Sequence, residues 1–143
     1  MIFSIFGLPG AGKTTIATAI AQKNLRKKSF LGVPVHKNVF TNFYCKDCFK
    51  LDFDSLAYFN IEDSLVIIDE ISLYADNRDF KNFSKDLLEF FKLHRHYNID
   101  IVWISQSNND ADKKIRDRPE TICYLSIFKA EIMIDFLYYS KAV

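Results

Sequence analysis

GLPGAGKT, residues Gly7 to Thr14, lies between an apolar run, Ile2 to Phe6, and a segment of helix formers beginning at Lys13. It satisfies G-x-x-x-x-G-K-[ST] at every fixed position, a pattern whose chemistry is the capture of phosphate. Glycines let consecutive backbone N–H groups turn inward around an anion, the following helix offers its positive end, and the Lys13 ammonium reaches the phosphates. Thr14 adds a hydroxyl for a magnesium ion. The expected nucleotide cradle is therefore Gly7, Pro9, Gly10, Ala11, Gly12, Lys13, Thr14 and Thr15. Average residue usage produces such a match by chance in roughly one chain of this length in two hundred. Here three of the four glycines fall inside it, which leaves a ligand-free strand-to-helix turn as a poor explanation.

With 143 residues and 49% hydrophobic content, the chain is expected to form one domain, residues 1–143, with about five core strands. Fourteen Phe and seven Tyr are many for this length, and they build either a large aromatic core or, in part, an exposed assembly surface. Net charge is +1, but Met1 to Lys46 carries seven Lys or Arg and no acid, whereas Asp47 to Asp79 carries nine acids. A basic first third suits a polyanionic ligand and an acidic middle suits a metal opposite it. Alternatively, Lys23, Arg26, Lys27 and Lys28 are the solvated end of a helix. Three cysteines and a start that lacks the pattern of a secretory signal imply a reducing, cytosolic setting. The apolar stretch Ile122 to Tyr139 is broken by Lys129, Glu131 and Asp135, so it does not read as a membrane span.

Going outward from the loop, Ile2 to Phe6 reads as a buried parallel strand and Lys13 to about Lys28 as a helix with Ile16, Ala19, Ile20 and Lys23 along one side. Val35 to Thr41 is a partly polar strand expected toward a sheet edge. Cys45-Lys-Asp-Cys48 is either half a zinc site, which His36 and Cys123 could join, or two ordinary thiols on a hairpin. Asp54 to Phe59 reads as a short helix. Leu65 to Ile68 is an interior strand that delivers Asp69-Glu70 at its tip, where carboxylates contribute nothing to packing. Asp69 is placed to serve Mg²⁺ and Glu70 to act as general base on an attacking water. Asp76 to Asp79 reads as a polar segment that either rims the site or faces another subunit. Ser84 to Tyr97 reads as a helix with Ser84 as N-cap, Asp86 in its first turn and Leu87, Leu88, Phe90 and Phe91 inward. At its end, His94-Arg95-His96, the two histidines make a poor metal pair, since residues two apart do not share a helix face, and the stretch reads instead as a solvated terminus. Ile99 to Ile104 is a strand interrupted at Asp100. Gln106 at its tip either holds the lytic water or senses the terminal phosphate, or else begins a turn. Lys113, Lys114, Arg116 and Arg118 form a basic cluster. Ile122 to Phe128 and Glu131 to Tyr138 read as strands.

The motifs GLPGAGKT, SLVIIDEI (Ser64 to Ile71), FFKLHRHYNIDIVWISQS (Phe90 to Ser107) and DKKIRD (Asp112 to Asp117) together resemble the zonula occludens toxin-like proteins, assembly ATPases of filamentous bacteriophages. The resemblance covers nearly the whole chain. It implies an α/β three-layer P-loop NTPase of the additional-strand type, related to the FtsK/HerA ATPases, with the Gln106 strand beside the strand of the phosphate loop. It implies that Gly7, Gly10, Gly12, Lys13 and Thr14 bind ATP, Asp69 serves Mg²⁺, Glu70 serves water and Gln106 is a sensor. It also implies a homo-oligomer, in a ring, whose neighbour donates an arginine; Arg95, Arg116, Arg118 and Arg78 are open as donors. Coat or export proteins and single-stranded DNA are the implied partners, at the cytoplasmic face of the host inner membrane. Relatives usually continue into a membrane helix and an external segment. This chain stops at Val143, either because that part was removed or because it is a shortened relative, and the toxin activity associated with that part is not carried over. A different class of reading is a nucleotide-binding scaffold that hydrolyses little; a small nucleotide kinase is disfavoured by Glu70 and by the lack of an Arg-rich lid.

Overall fold

The computed structural model describes residues 1–51, 61–73, 85–107, 109, 113, 117–128 and 131–133, with 85–88, 126–128 and 131–133 as backbone only. Its elements are β1 (Ile2–Gly7), α1 (Lys13–Leu25), β2 (Asn38–Thr41), β3 (Phe49–Lys50), β4 (Ser64–Ile68), α2 (Lys85–Leu93), β5 (Ile99–Ser105), β6 (Thr121–Phe128) and β7 (Glu131–Met133), with 3-10 turns at Ile71–Leu73 and His94–Tyr97. The seven strands form a sheet of order β3-β2-β4-β5-β1-β6-β7. All neighbours are parallel except β6 and β7, which pair antiparallel from Ser126↔Met133 to Phe128↔Glu131. The strand implied between the two nucleotide motifs is β5, which pairs with β1 (Ile2↔Ile101 to Phe6↔Ser105) and with β4 (Ser64↔Ile99 to Ile68↔Trp103).

The unbroken apolar runs of β1, β4 and β5 have this form because both faces of the sheet are covered. Ile2, Phe6, Val66, Ile68, Ile101 and Trp103 belong to the cluster closed by Phe91 of α2. Phe3, Ile5, Leu65, Ile67, Val102 and Ile104 belong to the other, closed by Ala17, Ile20 and Ala21 of α1. Successive residues alternate between the two, which gives three layers: helix, sheet, helix. Trp103 and Phe6 meet edge to face, with ring centroids 5.2 Å apart.

Several expectations are corrected. The second strand starts at Asn38 rather than Val35, because residues 34–36 are held by α1 instead: Asn24 donates to the Pro34 carbonyl and accepts from the His36 N–H. It lies toward the sheet edge, as expected, one place in and outflanked by the two-residue β3. The first helix ends at Leu25, and the chain then turns left-handed at Lys27 (φ 56°). Its buried face is Lys13, Ala17, Ile20, Ala21 and Asn24. Lys23 is exposed, its ammonium 4.0 Å over the Phe30 ring. The second helix stops at Leu93 and tightens to a 3-10 turn that ends at left-handed Asn98. His94 is buried there rather than solvated, its Nδ1 donating to the Phe91 carbonyl at 2.9 Å, and burial lowers its pKa. The last strand is described over Glu131–Met133, and the rest of the stretch read to Tyr138 lies outside the described residues. The short helix read at 54–59, Ser84 and the polar segment 76–79 lie outside the described residues, as do the side chains of Asp86, Leu87 and Leu88.

Asp100 does not interrupt its strand. At the end of the sheet away from the phosphate loop it accepts from the Met1 ammonium and lies 3.0 Å from His36 Nε2, while His36 Nδ1 lies 3.4 Å from Asp63. Burial raises the Asp100 carboxyl, but the hydrogen bonds and positive charge of these partners outweigh it and hold the group below the ordinary carboxylate value.

Candidate functional site

Because β1, β2, β4 and β5 are parallel, their C-terminal ends open on one edge of the sheet, and every chemical motif sits at that edge. β1 delivers the phosphate loop, β2 delivers Asn42, β4 delivers Asp69 and Glu70, and β5 delivers Gln106. In the loop, Ala11 N–H closes a turn on the Leu8 carbonyl at 3.1 Å, and Gly12 caps α1 with φ 80°, a left-handed conformation that favours glycine. The first turn of α1 leaves its N–H groups without intrahelical partners, directed toward this loop. The Lys13 ammonium donates to the Gly7 and Leu8 carbonyls at 2.7 and 3.0 Å, so the cation lies within the loop on a buried residue.

The second motif meets the first by direct contact. Thr14 Oγ1 donates to Asp69 Oδ2 at 2.6 Å, across 55 positions of sequence. Asp69 Oδ1 accepts from the Glu70 N–H at 2.9 Å, and Glu70 sits at φ 53°, unusual for a side chain of its size. Gln106 Nε2 donates to Glu70 Oε1 at 3.0 Å. A continuous polar row results: Lys13, Thr14, Asp69, Glu70, Gln106. Thr14, Thr15 and Gln106 are exposed and Asp69 and Glu70 half-buried, which leaves the row open to a ligand.

The donors suit a hard cation. Thr14 and Asp69 present two oxygens side by side at the mouth of the phosphate loop and would hold Mg²⁺, a cation that favours oxygen ligands. Among the described residues no group of three or more His, Cys, Asp or Glu gathers as a self-sufficient metal cage. That includes Cys45 and Cys48, whose turn is closed by the Cys48 N–H on the Cys45 carbonyl at 3.3 Å. His36 is engaged by Asp100 through Nε2, its Nδ1 lying 3.4 Å from Asp63 without a hydrogen bond, and Cys123 is buried in β6. Burial, with Cys45 and Asp47 beside it, pushes the Cys48 thiol up to about 12.

Arg95 and the basic residues of α1 are not brought to this edge. Arg95 precedes β5, so it lies at the opposite end of the sheet, a strand length of roughly 20 Å from its own chain's loop. It pairs there with Glu120 at 2.7 Å. Lys23, Arg26, Lys27 and Lys28 lie at the far end of α1, and Lys27 donates to the His36 carbonyl. Arg116, Lys114 and Arg78 lie outside the described residues, Lys113 is exposed and Arg118 half-buried. Asn42 is the functional-edge residue the sequence reading missed: its amide donates to the Asp69 carbonyl and accepts from the Asp69 N–H, each at 2.8 Å. Its only sequence signal is its place directly after β2.

Comparison with known proteins adds the following. A family model described as zonular occludens toxin (Zot) matches residues 45–139, which include Asp69, Glu70 and Gln106 but not the phosphate loop. A comparison with curated proteins found no match. Among solved structures, the N-terminal domain of zonular occludens toxin from Neisseria meningitidis superposes with a TM-score of 0.66 at 21% identity, over 90% of this chain and 78% of that one. The genome packaging NTPase B204 of Sulfolobus turreted icosahedral virus 2, in complex with ATP-gammaS, gives 0.64 at 13% identity, over 90% and 75%. The FIGL-1 AAA domain in complex with ADP gives 0.54 at 16%, over 86% and 42%. The shared feature is the P-loop NTPase fold.

Proposed function

The chain belongs to the zonular occludens toxin (Zot) family, and from that premise we propose that it is a Mg²⁺-dependent ATPase whose oligomer drives filamentous phage assembly and extrusion of single-stranded DNA. The observation that carries the hydrolytic reading is the row Thr14–Asp69–Glu70–Gln106, in which residues from three motifs are linked by hydrogen bonds, Asp69 to Glu70 through the Glu70 N–H, in the order phosphoryl transfer requires. In this reading the loop N–H groups and Lys13 hold the phosphates, and the Lys13 ammonium exchanges two carbonyl partners for phosphate oxygens. Thr14 and Asp69 hold Mg²⁺, which when bound neutralises charge on those oxygens. Glu70 accepts a proton from the attacking water and Gln106 orients that water, its amide offering both donor and acceptor.

The site lacks an arginine of its own among the described residues, so a second copy is expected to supply one, from the segment around Arg116 and Arg118, from Arg78 or from Arg95. Coat or export proteins are the partners proposed for the assembled form, at the cytoplasmic face of the host inner membrane. No described helix is long and apolar enough to cross a membrane.

Turnover of ATP by the purified protein, with Glu70→Gln beside it, tests the reading. The variant should bind ATP with unchanged affinity and hydrolyse it at least about a hundredfold more slowly. Equal turnover removes Glu70 from its role. Nucleotide-dependent assembly without turnover at any protein concentration replaces the motor by a nucleotide-binding scaffold.

A further inference from the structure

We infer that Asn42 is a positioning residue for the Mg²⁺-binding carboxylate: its side-chain amide holds the Asp69 peptide, and so aims Asp69 and Glu70. The inference rests on the hydrolytic reading of the same site and adds a residue to it.

The ladder between β2 and β4 runs from Asn38↔Ser64 to Thr41↔Ile67. After Thr41 the main chain of β2 turns away, as the Thr41 hydroxyl donates to the Phe43 carbonyl at 2.7 Å. Backbone pairing therefore ends just short of the residues that do chemistry. The Asn42 side chain takes over: its Nδ2 donates to the Asp69 carbonyl and its Oδ1 accepts from the Asp69 N–H, both at 2.8 Å. An amide group with one donor and one acceptor in a plane reproduces what a strand peptide would offer.

With its main chain held, Asp69 divides its carboxylate between Thr14 Oγ1 (2.6 Å) and the Glu70 N–H (2.9 Å). Glu70 then occupies φ 53°, a conformation that a residue of its kind keeps only where the surroundings enforce it. From there its carboxylate meets Gln106. Few other side chains meet both ends of the Asp69 peptide. Asp cannot donate and adds a second anion beside the first, Ser reaches one partner, and Ala reaches neither.

The experiment compares wild type with Asn42→Ala and Asn42→Ser, and uses Gln22→Ala as control. Gln22 ties the same loop to α1 through the Lys46 carbonyl at 2.8 Å without touching Asp69. Measured are kcat and KM for ATP, the affinity for a fluorescent ATP analogue with and without Mg²⁺, and the melting temperature. Asn42→Ala is expected to lower kcat by about 10- to 100-fold and to lose the gain in affinity that Mg²⁺ brings, with Mg²⁺-free affinity within about twofold of wild type. Asn42→Ser should fall between the two, and Gln22→Ala should match wild type. An Asn42→Ala kcat within about twofold of wild type overturns the inference. So does an equal loss of affinity with and without Mg²⁺ that follows a lowered melting temperature, the mark of a purely structural role. If wild type hydrolyses nothing, the hydrolytic reading alone fails. The Mg²⁺-dependent affinity then decides: its loss in Asn42→Ala upholds the role, and its retention, or its absence in wild type, overturns it.

Discussion

Replacing Gly7 by alanine should damage the sheet and the phosphate loop together. A Cβ there would lie 2.9 Å from the Leu125 carbonyl oxygen, 3.0 Å from Leu125 Cβ and 3.3 Å from Ala11 Cβ. The first two belong to β6, whose Leu125 is the register partner of Gly7, so the obstacle is main chain and cannot swing aside. Relief needs a displacement of about 0.5 Å, by opening the end of the β1–β6 pair or pushing the loop outward. Overpacking of this kind costs about 1–3 kcal/mol. For a chain of this size that lowers the melting temperature by roughly 3–10 °C. The Gly7 carbonyl also anchors the Lys13 ammonium, so ATP affinity should weaken by about tenfold, or about 1.4 kcal/mol. Gly10 serves as contrast: nothing lies within 4 Å of its Cβ position, and only φ 79° penalises a side chain. Asn tolerates that conformation, so Gly10→Asn should be milder than Gly10→Ala, whereas Gly7→Asn should be worse than Gly7→Ala. Thermal unfolding with ATP-analogue titration reads both quantities. A Gly7→Ala protein melting within about 1 °C of wild type refutes the reasoning.

Three other outcomes are expected. Asp100 has its folded pKa depressed by the Met1 ammonium and His36, so the stability it contributes is present above its unfolded value of about 3.9 and lost as pH falls through the folded one. Asp100→Asn should remove about 3 kcal/mol at neutral pH and flatten the acid limb of a plot of melting temperature against pH; an unchanged acid limb counts against the assignment. Cys48, with its thiol pushed up to about 12, should react with iodoacetamide at pH 8 at least about a hundredfold more slowly than an ordinary thiol, as measured by peptide mass spectrometry. Arg95→Ala breaks an exposed pair with Glu120 and should change stability by less than about 1 kcal/mol while leaving the nucleotide affinity of the isolated chain intact; a loss of that affinity would show that Arg95 serves its own site.

The chemistry of this protein is written locally, and local chemistry is what a single sequence displays. Gly7 to Thr15, Asp69-Glu70 and Gln106 each announce themselves because a polar or glycine-rich tip follows directly on an apolar run. Parallel strands with short exits put such tips on one edge of a sheet. The three-layer class follows as well, since runs buried on both faces need helices on both sides. What the folded chain adds comes from residues far apart in sequence. The identity of residue 7 depends on how closely β6 approaches, across 118 positions, to Leu125. Asn42 looks like any polar residue after a strand until the pairing of β2 with β4 brings its side chain within reach of the Asp69 N–H and carbonyl. Asp100 and His36, read separately as an interruption and a spare ligand, become a buried hydrogen-bonded pair only when β5 and the segment before β2 meet at the far end of the sheet. Arg95 has the right chemistry for a trans arginine, yet its position just before β5 removes it from its own chain's site, because the direction of a strand decides which end faces the ligand.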